Sequence, residues 1–286
     1  MKYYYSLLTL LTTAILLSSC GSVPVTGRKQ MLLVSDQEVL TLSLQQYNEF
    51  IKTAPKSTDK ANTALVQKVG RNIANAVETY MKANGMESLI SSYSWEFNLV
   101  KSADVNAFCM PGGKIVVYEG ILPVTQDETG LAVVLGHEVS HAVAKHANER
   151  MSQQVAAQYG NAALGVALGG ASSTVQTVAS SVYGLGAQYG VMLPYSRKQE
   201  LEADKLGLIF MAMAGYNPQL AESFWVRMSQ KTGGQSVAEF QSTHPSDETR
   251  IKKIKEELPE AMQYYKGGTT KNTSNSNAKT SEQWKF

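Results

Sequence analysis

Apolar residues recur at helical spacing on both sides of a short stretch in which they alternate. Leu65, Val69, Ile73, Ala76, Val77 and Tyr80 fall close to one stripe, so residues 61–82 are expected to be a helix with that stripe in the core. Before it, Ser35-Asp36 with Glu38 three residues after Ser35 has the form of a capping box, opening a helix over about 36–52. Trp95–Val100 alternates like a strand, and residues 104–110 and 114–118 read as two more, joined at Pro111-Gly112-Gly113. Asp127 or Thr125 can cap the next helix, which runs to about Met151 and contains Val133–His146. Helices are expected again over 197–214 and 218–231, and over 245–265, where Pro and acidic residues open a charged amphipathic helix. The whole predicts an α+β fold: a mainly helical domain with a small antiparallel sheet beside the helix that carries His137 and His141.

Residues 155–193 are rich in Ala, Gly, Ser and Gln and lack 18 consecutive apolar residues, so close-packed small-residue helices are expected there rather than a membrane hairpin. The last twenty-one residues turn polar, which predicts a disordered tail over 266–286. At the other end, Lys2 and the apolar run Leu7–Leu17 form a signal peptide over 1–19. Its Leu17-Ser18-Ser19-Cys20 end resembles the bacterial lipobox, which implies lipidation of Cys20. Gly21 in the next position implies the outer membrane of a Gram-negative cell, facing the periplasm. Residues 20–34, with Pro24 and Gly27, are expected to be an extended tether, leaving 35–265 for one domain.

A chain of 286 residues, 43% hydrophobic and 17% charged, has the composition of a globular protein. A net charge of +2 with no basic stripe gives no case for nucleic acid. Cys109 is the one thiol besides Cys20, so no internal disulfide framework is expected, and Cys109 itself reads as a small buried residue.

Chemistry concentrates in His137-Glu-Val-Ser-His141. Two imidazoles four residues apart share a helix face and can hold one Zn²⁺, while Glu138 can take a proton from water beside the metal. A catalytic zinc takes a third protein ligand. Glu200 and Asp204 share one face of a later helix and can divide into a ligand and an acceptor for an imidazole N–H, whereas Glu202 points away. His146 lies about 900° around a continuous helix from His137, which makes it a poor ligand candidate and assigns it to the surface or to a second layer. His244 stands just before a helix.

Asn106-Ala-Phe108, Pro111-Gly-Gly-Lys-Ile115, Glu119-Gly-Ile-Leu122, His137-Glu-Val-Ser-His141, Ser196-Arg197 through Glu200-x-x-x-Asp204, and Thr243-His244-Pro245 with Arg250-Ile251 together resemble the M48 family of zinc metallopeptidases. More narrowly the chain resembles the bacterial lipoprotein and periplasmic members related to the mitochondrial Oma1 protease, and the resemblance covers roughly residues 23–265. It implies a zincin-like fold with one zinc per chain held by His137, His141 and Glu200, Glu138 as catalytic base, and Asp204 as partner to an imidazole. It also implies that Val105, Asn106, Ala107 and Phe108 form the edge strand to which substrate peptides add, and that His244 or Arg250 supplies an oxyanion donor. His244 can instead occupy the open metal position and hold the enzyme latent. The expected function is a zinc endopeptidase, lipid-anchored through Cys20, that cuts unfolded or misassembled envelope proteins. The alternative is an outer-membrane assembly factor or chaperone that uses the zinc fold as a binding platform.

Overall fold

In the computed structural model, which describes residues 20–161, 196–230, 244 and 248–267, the chain opens with an antiparallel hairpin of β1 (Cys20–Ser22) and β2 (Lys29–Met31). This differs from an extended tether, because Val23 is buried in the main core. Helices α1 (Asp36–Thr53) and α2 (Lys60–Ala83) follow. Ser35 accepts from the Glu38 N–H and Asp59 from the Asn62 N–H, so each helix starts where a side chain satisfies an otherwise unpaired donor. The stripe of α2 is core: Val69, Ile73 and Val77 are fully buried, while Leu65 packs on the core's margin.

After a single turn, α3 (Glu87–Ile90), come strands β3 (Glu96–Val100), β4 (Ala107–Met110) and β5 (Lys114–Tyr118). The spatial order is β3-β5-β4. β4 runs antiparallel to β5 with Phe108 opposite Val116, but β3 runs parallel to β5 with Phe97 opposite Ile115. The sheet is therefore mixed rather than wholly antiparallel. Residues 101–106 carry the chain from β3 to β4 on the other edge, and a tight Pro111-Gly112-Gly113 turn then feeds β5 between them. Gly112 and Gly113 both take positive φ (86° and 80°), which a side chain would oppose.

A 3₁₀ turn (Glu119–Ile121) and α4 (Leu122–Thr125) lead to α5 (Glu128–Val143), capped by Asp127. Every residue from Gly130 to Val143 is buried, so α5 is a central helix rather than a surface one. Across it lies α7 (Arg197–Met213), opened by a reciprocal capping box of Ser196 and Gln199. The two helices touch backbone to backbone at Gly136 and Gly207. A Cβ on either glycine meets the other's main chain at 2.9 Å. Helices α8 (Leu220–Gln230) and α9 (Glu248–Met262) close the far side, with Phe224, Trp225 and Ile254 in the core.

The helix expected to run unbroken to Met151 stops at Val143. Lys145 adopts φ 56°, and a new helix, α6 (His146–Asn161), starts immediately after it. Most of the 155–193 segment, the signal peptide and the 268–286 part of the tail lie outside the described residues. Among the described residues, no helix is long and apolar enough to cross a membrane.

Candidate active site

Because α5 is buried on all sides, each of its polar side chains needs a partner from a neighbouring element. The glycine contact brings α7 close enough to supply them. His137 Nδ1 lies 2.8 Å from Asp204 Oδ1. An ionised carboxylate only accepts, so Nδ1 carries the proton and Nε2 is left with its lone pair turned inward. His141 Nε2 faces it at 3.0 Å. Glu200 completes the group, with Oε1 at 3.4 Å from His141 Nε2 and Oε2 at 3.5 Å from His137 Nε2. His244 joins from beyond α8: its Nδ1 is 3.0 Å from Glu200 Oε1 and 3.2 Å from His137 Nε2.

The four residues are buried and offer ligand atoms that all lie within 4.8 Å of one another, so they could hold a metal ion. Their chemistry fits one. Lone pairs on two imidazoles and a carboxylate converge with separations of 3.0–3.5 Å. The edge of a tetrahedron with Zn–N bonds of ~2.0–2.1 Å is about 3.3 Å. Burial pushes the His141 ring well towards its neutral, ligating form. For Glu200 burial acts the other way, but the surrounding His244, His137 and His141 hold its carboxyl well below the usual carboxylate range.

Glu138 is also buried, and among the described residues its Oε1 has no hydrogen-bond partner; His244 Nε2 stands 3.7 Å away. Desolvation raises its carboxyl to about 7, with charges of both signs nearby modifying that push. A buried carboxylate oxygen with nothing to accept from is poised for a reactant rather than for structure.

Arg250 lies beneath the group instead of facing substrate. Its Nε and Nη2 each reach Asp204 at 2.7 Å, Nη1 is 3.3 Å from Glu200 Oε2, and the guanidinium stacks 3.4 Å above the Trp225 ring. Nη1 also approaches the His244 carbonyl at 3.4 Å. With its donors committed to Asp204 and to the loop, Arg250 is a strut and not the oxyanion donor expected from the sequence.

The structure decides two further points. Of the surface and the second layer, His146 takes the second layer: it is fully buried, its Nδ1 2.9 Å from His141 Nδ1 and its Nε2 3.0 Å from Glu202 Oε2. The 900° count does not apply, because the left-handed turn at Lys145 redirects the chain one residue earlier. Glu202 does leave the face shared by Glu200 and Asp204, but it points into the protein. It accepts from Thr26 Oγ1 and from Arg28 Nε at 2.6 Å. Arg28 also forms a two-pronged pair with Glu149 at 2.7 Å on each prong. Burial opposes ionisation of Glu202, yet its partners His146, Thr26 and Arg28 prevail and lower its carboxyl to about 2. A buried helix start with a glutamate between two other acids was the only sequence signal for this layer.

Of the expected substrate strand, Ala107 and Phe108 lie in β4, while Val105 and Asn106 precede it. β4 is an outer strand of its sheet. The Tyr118 N–H donates to the Asn106 carbonyl, so the alternate positions Ala107 and Cys109 turn their backbone groups away from β5. There the Ala107 N–H is taken by Asn106's own side-chain oxygen at 2.8 Å. Cys109 is a buried free thiol, raised well above its usual range by desolvation.

A buried pair of histidines four apart on a central helix, faced by a carboxylate from a crossing helix, defines a metallopeptidase-type centre. The chain belongs to peptidase family M48: the family model matches residues 66–258, which contain every member of the group. Among its relatives are the mitochondrial metalloendopeptidase OMA1 of Schizosaccharomyces pombe, 37% identical over 66% of this chain and 53% of the relative. The OMA1 of Saccharomyces cerevisiae is 31% identical over 85% of this chain and 70% of the relative. The beta-barrel assembly-enhancing protease of Escherichia coli K12 is 25% identical over 70% of this chain and 39% of the relative. The chain thus spans about half the length of the fission-yeast protein. These findings correct the expected location. Two of the three relatives are mitochondrial, and an outer-membrane lipoprotein facing the periplasm finds no support among them. The short pattern around Cys20 lies apart from the matched domain, and a domain match carries no address.

Proposed function

We propose that this chain is a zinc-dependent endopeptidase of protein quality control, cutting extended segments of unfolded or misassembled proteins. The observation that carries the reading is the convergence of His137, His141 and Glu200 beside a Glu138 carboxylate oxygen that has no hydrogen-bond partner among the described residues. His137, His141 and Glu200 would hold the metal, and Asp204 fixes the His137 ring through Nδ1. A zinc ion bound there supplies Lewis acidity and lowers the pKa of water towards neutrality. Glu138 accepts the proton of the attacking water at its free Oε1 and passes it to the leaving amine. As an outer strand of its sheet, β4 would pair with substrate main chain through the backbone groups of Cys109 and the Ala107 carbonyl, the Ala107 N–H being held by Asn106, so only a segment that can be drawn out straight would add to it. The names of the relatives, metalloendopeptidases and a protease that enhances β-barrel assembly, support both the activity and the substrate class. Cys20 is the proposed attachment point for a lipid that ties the N-terminal hairpin to a membrane surface.

The position of His244 inside the ligand group favours the latch over the oxyanion donor. It stands within 3.2 Å of both Glu200 and His137, where it competes with water for the metal.

Metal analysis with a casein-cleavage assay tests the reading. Wild type should carry one zinc per chain and cleave, and Glu138→Gln should keep the metal while losing about 10²–10⁴-fold in rate. Absent stoichiometric metal, or full activity in Glu138→Gln, overturns it. Aggregation-suppressing activity that survives Glu138→Gln, without cleavage in wild type, would instead mark a chaperone. His244→Ala should raise cleavage, and an unchanged or lowered rate removes the latch.

A further inference from the structure

Each of the two inward-facing imidazoles is backed by a carboxylate, but by different routes. Asp204 reaches His137 directly. Glu202 reaches His141 through a second ring, since His146 lies between them at 3.0 Å from Glu202 and 2.9 Å from His141.

The proton positions along this route follow from its two ends. The Glu202 carboxylate can only accept, so His146 carries its proton on Nε2. His141 turns Nε2 towards Glu200 and His137, so as a ligand through Nε2 it carries its proton on Nδ1. His146 Nδ1, 2.9 Å away, is then the acceptor of that proton, and the His141 Nε2 lone pair is held facing inward. A ring fixed in this tautomer and orientation is prepared for a cation before the cation arrives.

Glu202 is itself held from outside the catalytic helices. The Thr26 hydroxyl and the Arg28 guanidinium come from the turn of the N-terminal hairpin, some 170 residues earlier in the chain. Arg28 is braced in turn by Glu149, whose other oxygen contact is the Gln199 amide. We propose that Thr26, Arg28, Glu202 and His146 form a positioning relay that sets the tautomer and aim of His141, making the N-terminal hairpin a working part of the metal site. None of the four offers a ligand atom; His146 touches the back of the His141 ring, and the other three act through it. The proposal rests on His141 being a metal ligand, as set out above.

Two measurements test it on the full chain. Zinc affinity, read by competition with a chromogenic chelator, should fall about 10–100-fold in His146→Phe and in Glu202→Met. It should fall by a smaller factor in Arg28→Met. The double variant His146→Phe/Glu202→Met should bind no more weakly than the worse single variant, because both cut one line. In the Co²⁺-substituted protein the visible absorption of these variants should shift, which loss of stability alone does not cause. Affinity within twofold of wild type in folded His146→Phe and Glu202→Met overturns the relay. The second measurement needs no variant. Imidazole ¹⁵N shifts of the zinc-loaded wild type should show His146 protonated at Nε2 and bare at Nδ1, with His141 protonated at Nδ1. The reverse tautomer on His146 overturns the relay whether or not the variants fold. Wild type that binds no zinc overturns the underlying ligand assignment as well, so the two failures are told apart.

Discussion

Arg250 shows how a single side chain can determine whether a site of converging lone pairs folds at all. It is fully buried, and its charge faces Asp204 and Glu200 at 2.7 and 3.3 Å while Trp225 covers its open face. Removing one partner from such a cluster leaves buried charge without compensation, which costs more than the pair contributes when intact. Arg250→Met should therefore lower the stability of the metal-free protein by about 3–5 kcal/mol, measured by urea unfolding in the presence of a chelator. Arg250→Lys should recover only part of this, because an ammonium cannot bridge both Asp204 oxygens as the fork does. Equal stability of wild type and Arg250→Met would mean that other groups neutralise Asp204. At this scale the sequence is informative in proportion to how local the geometry is. His137, Glu138 and His141 are legible because one helical turn relates them, and Glu200 and Asp204 because another does. His146 is not, because one residue in the left-handed region cancels the helical count that would have located it. Arg250 is legible as a member of a pattern but not in its role, since only the packed structure shows its donors facing inward.

Among the elements, the crossing of α5 and α7 is what converts two separate motifs into one site. Gly136 precedes His137, and Gly207 lies one turn beyond Asp204, so the closest point of the crossing sits next to the ligands. Any side chain there would wedge backbone against backbone, with no flexible end to yield. Gly207→Ala is expected to destabilise the protein by roughly 1–3 kcal/mol through overpacking, and to weaken metal binding by widening the separation between Glu200 and the imidazoles. Thermal unfolding and chelator competition check the two effects together. A loss of stability with metal affinity unchanged would show that the helices relax elsewhere along their length. The helices themselves are legible from apolar spacing and caps: α5 starts after Asp127, one of the two caps the sequence offers, and α7 starts at Arg197 as its pattern predicts, although the Ser196 cap is seen only in the structure. The crossing is less so, because a glycine inside a helical pattern signals close approach without saying to what. The direction of β3 is also beyond periodicity, since alternation is the same in parallel and antiparallel strands and only the crossover to β5 decides it.

Over the whole molecule, the hairpin at residues 20–31 is fastened to the catalytic helices by charge as well as by apolar contact. Val23 enters the core, and Arg28 joins Glu202 of α7 to Glu149 of α6. Composition suggested a loose tether because Pro24 and Gly27 mark a turn, while its anchor is a set of contacts more than 120 residues away in sequence. This anchorage should be sensitive to acid in a predictable direction. Burial opposes the ionised forms of Glu149 and Glu202, but hydrogen bonds from Arg28 and their other partners lower both carboxyls, that of Glu202 to about 2. A carboxyl lowered on folding contributes in full above its unfolded value of about 4.5, and the contribution disappears as pH falls towards the folded value. At pH 7, Arg28→Met strands two buried carboxylates and should cost roughly 3 kcal/mol. As the pH drops from about 4.5 towards about 2, the wild-type advantage is lost, so the gap between the two proteins should close. Urea midpoints for both proteins at pH 7, 4.5 and 3 measure the gap directly. A gap that stays constant down to pH 3 would assign the stabilising role of Arg28 to its aliphatic stem rather than to its charge.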